Sequence, residues 1–416
     1  MRRPLRRAPA PRLLPACGLA LALAAAPAEA QIPLIRREAF QLDLTGYVRT
    51  LTGVHDAGFD LPGVSRTTGF HAAVTRLKWT AQVPGRVSLS VHDRVLASIT
   101  SSGTSPVAGF GVSRTPGRAF DLSSPWVEEE RLDVVHDVDR LAITVFTPVA
   151  DLTVGRQAVS WGTSSLFPVA DLWAAFSPFE LDTEEKPGID AARALAYPFP
   201  GVEVDAIVAD RGDDGVSAGA RVSATIARWE VWAGGGKLWN EAMAMAGAAY
   251  VGDVAKLRAE AVFARDTDAG ETLDPRFTVG IDRLGTRLTV SAEYHFNGLG
   301  GAQPADYGAR LVSPPFLRGE TYYLGRHYLG GLAAWSPDLQ NRLNLTASVL
   351  ANLTDGSVSL TPVATYDFGQ NARLSAGALV STGDPPISEA ASPLPRLRSE
   401  FGSYGRLGFV TLSVWF

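Results

Sequence analysis

The sequence predicts an all-β protein: a transmembrane antiparallel up-and-down β-barrel of about 18 strands with one inward-folded loop. Three observations carry this. Apolar and polar residues alternate with period 2 along most of the chain, short and long connections take turns, and the chain ends inside a strand on an aromatic residue.

The N-terminus sets the compartment. MRRPLRRAPAPR brings five arginines, an apolar run follows from Leu13 to Ala26, and Ala28-Glu29-Ala30 reads as a small-residue cleavage site. This is the pattern of a secretory signal peptide, so residues 1–30 are expected to be removed and 31–416 to form a single barrel domain. The apolar run is short of the ~20 residues that a spanning helix needs. Cys17 is the one cysteine and lies inside the leader, which leaves no disulfide or thiol chemistry. The remaining chain holds 33 basic and 42 acidic residues, a net charge of −9 that argues against nucleic acid as a partner.

Along the chain, TRLKWTAQVPGRVSLSVHDRV (75–95) reads as two two-faced strands around a Pro84-Gly85 turn. The alternation returns at 202–210, 216–226, 255–265, 286–296, 341–353, 357–368 and 372–383. Short links fall at 84–85, 148–151, 198–201, 227–228, 252–254, 284–286, 336–340 and 368–371. Between them lie 53–68, 99–137, 162–188, 211–215, 238–240, 266–275, 297–320, 353–356 and 383–402, which include every long connection. Short turns at one end and longer loops at the other are the outer-membrane pattern. The even count requires 126–137 to be loop and 138–147 strand.

Residues 404–416 are the expected closing strand. In hydrocarbon an open sheet edge leaves backbone groups unsatisfied, so this strand must pair with the first, near Phe40, Leu42 and Leu44. Trp79, Trp229, Trp335, Tyr366, Phe368 and Trp415 fall at the short-turn level, as expected of an interfacial aromatic girdle. The terminal Phe416 resembles the signal by which Gram-negative barrel-assembly machinery recognises its clients.

Residues 151–201 carry a more specific likeness. Gly155, Arg156, Gln157, Trp161, Gly162, Asp171, Pro178, Gly188, Asp190, Ala191 and Arg193 resemble a segment shared by alginate-export-type porins and related proteobacterial outer-membrane barrels. The resemblance implies an 18-stranded conduit with this loop near the pore. On its own residues, the 162–188 loop is too apolar for water: Phe167, Trp173, Phe176 and Phe179 accompany Pro168, Pro178 and Pro187. It is expected to fold into the mouth as a constriction. Asp171 lies within it, and the acidic run Asp182, Glu184 and Glu185 is expected to meet Arg156, Arg193 or other lumen cations.

Alternation assigns the lumen lining. Arg76, Lys78, Arg94, Arg140, Arg221, Lys256, Arg258 and Arg287 are expected inward, with Glu203, Asp205, Glu230, Glu260, Asp282 and Glu293. Arg156, Arg193 and Arg326 are further cationic candidates whose register neighbouring glycines can shift. The basic surplus predicts weak anion preference.

No nucleophile constellation emerges from the six scattered histidines, and Asp266, Asp268, Glu271 and Asp274 lack the spacing of a calcium hand. No enzyme activity, cofactor or metal is expected. The expected role is an outer-membrane channel for small hydrophilic or anionic solutes, with outer-membrane lipid, lipopolysaccharide and the assembly machinery as partners. The alternatives are a conduit for an anionic polysaccharide or other specific substrate, and a plugged receptor or structural barrel.

Overall fold

The computed structural model describes residues 32–60, 65–102, 116–180, 183–338, 340–388 and 395–416, so the expected leader and Asp182 lie outside the described residues. The first strands are β1 (Ile32–Arg37), β2 (Phe40–Asp56), β3 (Thr67–Val83), β4 (Val87–Thr100), β5 (Ser123–Glu128), β6 (Leu132–Phe146) and β7 (Ala150–Gln157). Next come β8 (Ile189–Phe199), β9 (Val202–Asp210), β10 (Val216–Ile226), β11 (Trp229–Leu238), β12 (Glu241–Val251), β13 (Ala255–Asp266) and β14 (Arg276–Arg283). The series ends with β15 (Leu288–Asn297), β16 (His327–Trp335), β17 (Leu343–Asn352), β18 (Ser357–Asp367), β19 (Ala372–Thr382) and β20 (Arg406–Trp415).

Every strand pairing is antiparallel, and β20 pairs with both β19 and β2, so the sheet closes on itself. β2, β3, β4 and β6 through β20 make an 18-strand wall. The short turns all lie at one end, the longer loops at the other.

Two strands stand outside that ring. β1 pairs with Phe40–Leu44, the part of β2 that runs past the closing strand, while β20 pairs with Tyr47 to Asp56. The seam is therefore shifted along β2 from its expected place at Phe40, Leu42 and Leu44. Gly46 and Phe416 exchange backbone hydrogen bonds of 2.7 and 3.0 Å at its end. A Cβ on Gly46 would stand 2.8 Å from the Phe416 ring and 2.4 Å from the Arg76 carbonyl oxygen, so only glycine lets them meet.

β5 is the second addition. The pairing of β6 with β7 stops at Leu141 and Arg156, and β5 takes the vacated upper edge of β6 from Asp133 to Asp137. This corrects the expected loop at 126–137, because the wall strand begins at Leu132. The alternation was hidden by a bulge: His92 pairs with Arg140 and Asp93 with Val138, leaving Asp139 without a partner on β4. Successive side chains Asp139 and Arg140 thereby both reach buried groups.

The two faces differ as a membrane wall requires. Leu141, Ile143, Val145, Leu152, Val154, Leu257, Phe263, Val279, Ile281, Leu329, Leu360 and Val410 are exposed outward, whereas Arg76, Asp205, Arg258, Glu260, Asp282 and Glu293 are buried within. Trp229, Trp335, Tyr366 and Phe368 are exposed at the short-turn end.

Candidate functional site

After β7 the chain leaves the wall, and residues 158–180 and 183–188 lie within the barrel. The departure needs Gly155, whose φ of +117° is closed to other residues and whose Cβ would lie 2.1 Å from the Leu141 carbonyl oxygen. Arg156 then seals the gap. It grips Asp190 with two bonds of 2.8 and 2.9 Å, donates to the Val138 carbonyl at 2.9 Å and donates also to the Phe120 carbonyl. Arg156 is 1% exposed, so this arginine is a clamp between strands and not a free lining cation.

Inside the barrel the loop meets two carboxylates. Glu260 on β13 accepts the Thr163 N–H at 2.6 Å, the Thr163 hydroxyl at 2.8 Å and the N–H groups of Ser164 and Ala170 at 3.2 and 3.3 Å. Glu293 on β15 accepts the N–H groups of Ser165, Leu166 and Phe167 at 2.7, 3.0 and 3.0 Å. Successive backbone N–H groups aimed at a carboxylate make an anion nest, and here the anions belong to the wall. Arg258 supports Glu293 from behind at 2.7 Å and also holds Asp282 at 2.7 Å.

The returning half of the loop crosses to the other side. Glu184 pairs with Arg49 on β2 at 2.7 Å, and Glu185 pairs with Lys78 on β3 and stands 3.9 Å from Arg140 on β6. Burial works against ionisation of Glu185, but Lys78 and the nearby Arg76 hold its carboxyl below its ordinary value. β3 and β13 are nine places apart in the 18-strand ring, so the loop spans a diameter, with N–H groups on an acidic wall and carboxylates on a basic one.

The other expected residues fall around this strap. Arg193 holds Asp205 through two bonds of 2.8 Å, and Trp161 donates its indole N–H to the same carboxylate at 2.7 Å. Asp171 pairs with Lys186 inside the loop, and Lys186 stands 5.6 Å from the Phe176 ring centre. Trp173 packs edge-on to Trp161 with Arg211 over its face. Arg76 is paired to buried Asp139 at 2.6 Å, Arg94 to Asp137 at 3.3 Å, Arg221 to Glu203 at 3.1 Å and Lys256 to Glu230 at 3.8 Å. Arg326 pairs with Asp274 at 3.1 Å among the loops.

Three placements differ from expectation. Arg287 is exposed in the turn between β14 and β15, one residue before the strand begins. Of the acidic run, Glu184 and Glu185 meet Arg49 and two of the other expected lumen cations, Lys78 and Arg140, and not Arg156 or Arg193, both of which are held by wall aspartates. Arg49 itself was missed although it shares the face of Tyr47, a residue buried in the lumen; its isolation among threonines and glycines gave no charge pattern to notice.

Two further loops cover the mouth. Residues 298–326 carry α1 (Tyr307–Leu311) and α2 (Pro314–Leu317), and Tyr322 and Tyr323 donate to the Ala175 and Leu166 carbonyls of the strap at 3.2 and 3.3 Å. From residues 383–405, Phe401 and Tyr404 pack edge-on to Phe179 at 6.0 and 4.9 Å. Fully buried Glu400 ties these loops together: it accepts from Tyr328, from the Leu324 N–H at 3.2 Å and from Asn352 at 2.8 Å, and its own N–H donates to Asp355 at 2.8 Å.

Burial, with Asp355 alongside, pushes the Glu400 carboxyl up to about 7. A carboxyl raised above its ordinary 4.5 contributes stability that is complete below that value and is lost as pH rises through about 7. Loop segments 301–326 and 395–405 should therefore show less amide protection, measured against the intrinsic base-catalysed exchange rate at each pH, at pH 8 than at pH 5. The difference should vanish in Glu400→Gln; an unchanged difference would place the titration elsewhere.

No protein-family model and no curated protein sequence matches the chain. Solved structures do. OccAB3 of Acinetobacter baumannii superposes with a TM-score of 0.59 at 11% identity, over 90% of this chain and 99% of that one. The outer membrane protein OpdK of Pseudomonas aeruginosa gives 0.54 at 11% identity, and its structure with vanillate gives 0.55 at 10%, each over 90% of this chain and 98% of that one. At such low identity the likeness shows the fold alone: a closed antiparallel β-barrel built on the plan of those proteins.

Proposed function

We propose that this chain is an outer-membrane channel that passes small hydrophilic solutes with a weak preference for anions, and that the 158–188 strap is its constriction. The observation that carries the reading is the strap itself, anchored by Glu260 and Glu293 on one wall and by Arg49 and Lys78 on the wall across the lumen. A polar, water-filled interior narrowed by a folded loop filters by size, and the charges beside the narrowing bias which ions enter. The apolar outer belt and the likeness to OpdK, an outer membrane protein, support the location. OpdK solved with vanillate supports a small-solute cargo.

Passage needs no chemical step. Most wall charges are neutralised locally, as in Arg193 with Asp205 and Arg258 with Asp282, so the bias rests on the cluster of Arg49, Lys78 and Arg140, beside which Glu184, Glu185 and Asp139 stand. Reconstituted in a planar bilayer under a salt gradient, the protein should give a reversal potential of anion sign. A cation-selective potential would remove the charge assignment. A closed bilayer would favour the second reading, a plugged barrel, which the packing of three loops in the mouth supports. The likeness of residues 151–201 to alginate-export-type porins supports a third, a polysaccharide conduit, for which an ohmic current blocked by an anionic glycan would be the signature.

A further inference from the structure

Among the six buried arginines of the described residues, one has no counter-ion. Arg76 and Arg140 stand within 4 Å of Asp139, Arg156 of Asp190, Arg258 of Asp282 and Arg276 of Glu320. Arg211, in the connection between β9 and β10, is 2% exposed and forms an ion pair with no carboxylate among the described residues. The opposite charge that acts most on it is Asp214, three residues further on and exposed to water.

Two indole rings stand where a counter-ion would. The guanidinium lies 4.6 Å from the ring centre of Trp239, in the turn between β11 and β12, and 5.3 Å from that of Trp173 in the strap. Its Nη2 donates one long bond of 3.5 Å to the Leu172 carbonyl of the strap, and its Nε has no partner. Ring quadrupoles and a carbonyl dipole stabilise a cation without cancelling its charge. Burial lowers the Arg211 pKa to about 10, which leaves the group charged at neutral pH.

The adjoining charges do not cancel it either. Arg318 lies 4.3 Å from the same Trp239 ring and pairs with Glu241 and Glu320, and Glu320 also holds Arg276 at 2.6 Å. Three guanidiniums thus stand over two carboxylates. A charge inside the protein is screened much less than one in water, so the surplus is felt through the strap in the solvent of the lumen. We infer that Arg211 is a selectivity residue of the channel, an unneutralised cation seated against Leu172 and Trp173 that favours anions in the passage without touching them. The assignment rests on the channel reading and adds a buried charge to the lumen cluster of Arg49, Lys78 and Arg140.

The test is the anion-to-cation permeability ratio of the full barrel in a planar bilayer under a potassium chloride gradient. Arg211→Met, which keeps the length of the side chain and removes its charge, should lower the ratio about twofold, the order given by one charge ~10 Å from the path in a setting between protein and water. Glu320→Gln should raise the ratio, because it leaves the three guanidiniums over Glu241 alone. An unchanged ratio in the Met variant would overturn the assignment, whether conductance stays the same or rises severalfold; in the second case Arg211 is only a pin for the strap. If the Met variant does not assemble, the Gln variant decides, a raised ratio supporting the assignment and an unchanged one overturning it. A wild-type barrel without current would sink the channel reading and this assignment together, whereas current with an unchanged Met ratio would sink this assignment alone.

Discussion

Deletion of residues 165–186 is expected to raise single-channel conductance severalfold, since current follows the open cross-section at the narrowest point. The deletion removes the Ser165 to Phe167 N–H groups from Glu293 and both acids from the cationic wall, and the Thr163 and Ser164 contacts that stay on Glu260 belong to a stub with no segment left to cross the lumen. A milder form separates filling from charge. Glu184→Gln with Glu185→Gln keeps the volume but removes two negative charges from beside Arg49, Lys78 and Arg140, and should shift the reversal potential further toward anions with a smaller change in conductance. Planar-bilayer recordings check both, and a deletion that leaves conductance unchanged would mean that the strap lies outside the current path.

The second large effect is on stability. Arg258→Ala strips two buried carboxylates, Asp282 and Glu293, of a shared cation that is 4% exposed. Breaking a buried pair from one side typically costs ~3–5 kcal/mol, because the partner charge stays behind. Equilibrium urea unfolding in lipid vesicles should show a loss of that order, with noisier currents as Glu293 loses its support. A loss below ~1 kcal/mol, the range of solvated surface pairs, would show that lumen water reaches these groups freely.

The wall was legible because each strand must present one face to hydrocarbon and one to water, and a period of 2 in residues such as Leu77 to Val83 records that demand directly. Where the backbone breaks the period, reading failed. The Asp139 bulge hid the strand ahead of it, so Leu132 to Asp137 looked like loop, and Arg287 sits one residue beyond the end of the pattern. The inward loop was legible from its apolar content, but its anchors were not. Glu260 and Glu293 read as lining charges, and no local pattern says that a carboxylate will be met by the backbone of a segment 90 to 128 residues away. Within residues 151–201, Gly155, Arg156, Asp190, Trp161 and Arg193 all serve the departure or return of the strap.

The hairpin of β1 with β2 has a mechanical corollary. Because β1 occupies the edge of β2 just past Gly46, the last strand meets a doorstop when Phe416 arrives and cannot slip further along its neighbour. Shear at the seam, the one place where the cylinder could be zipped at the wrong offset, is thereby blocked in one direction by six residues that never join the ring.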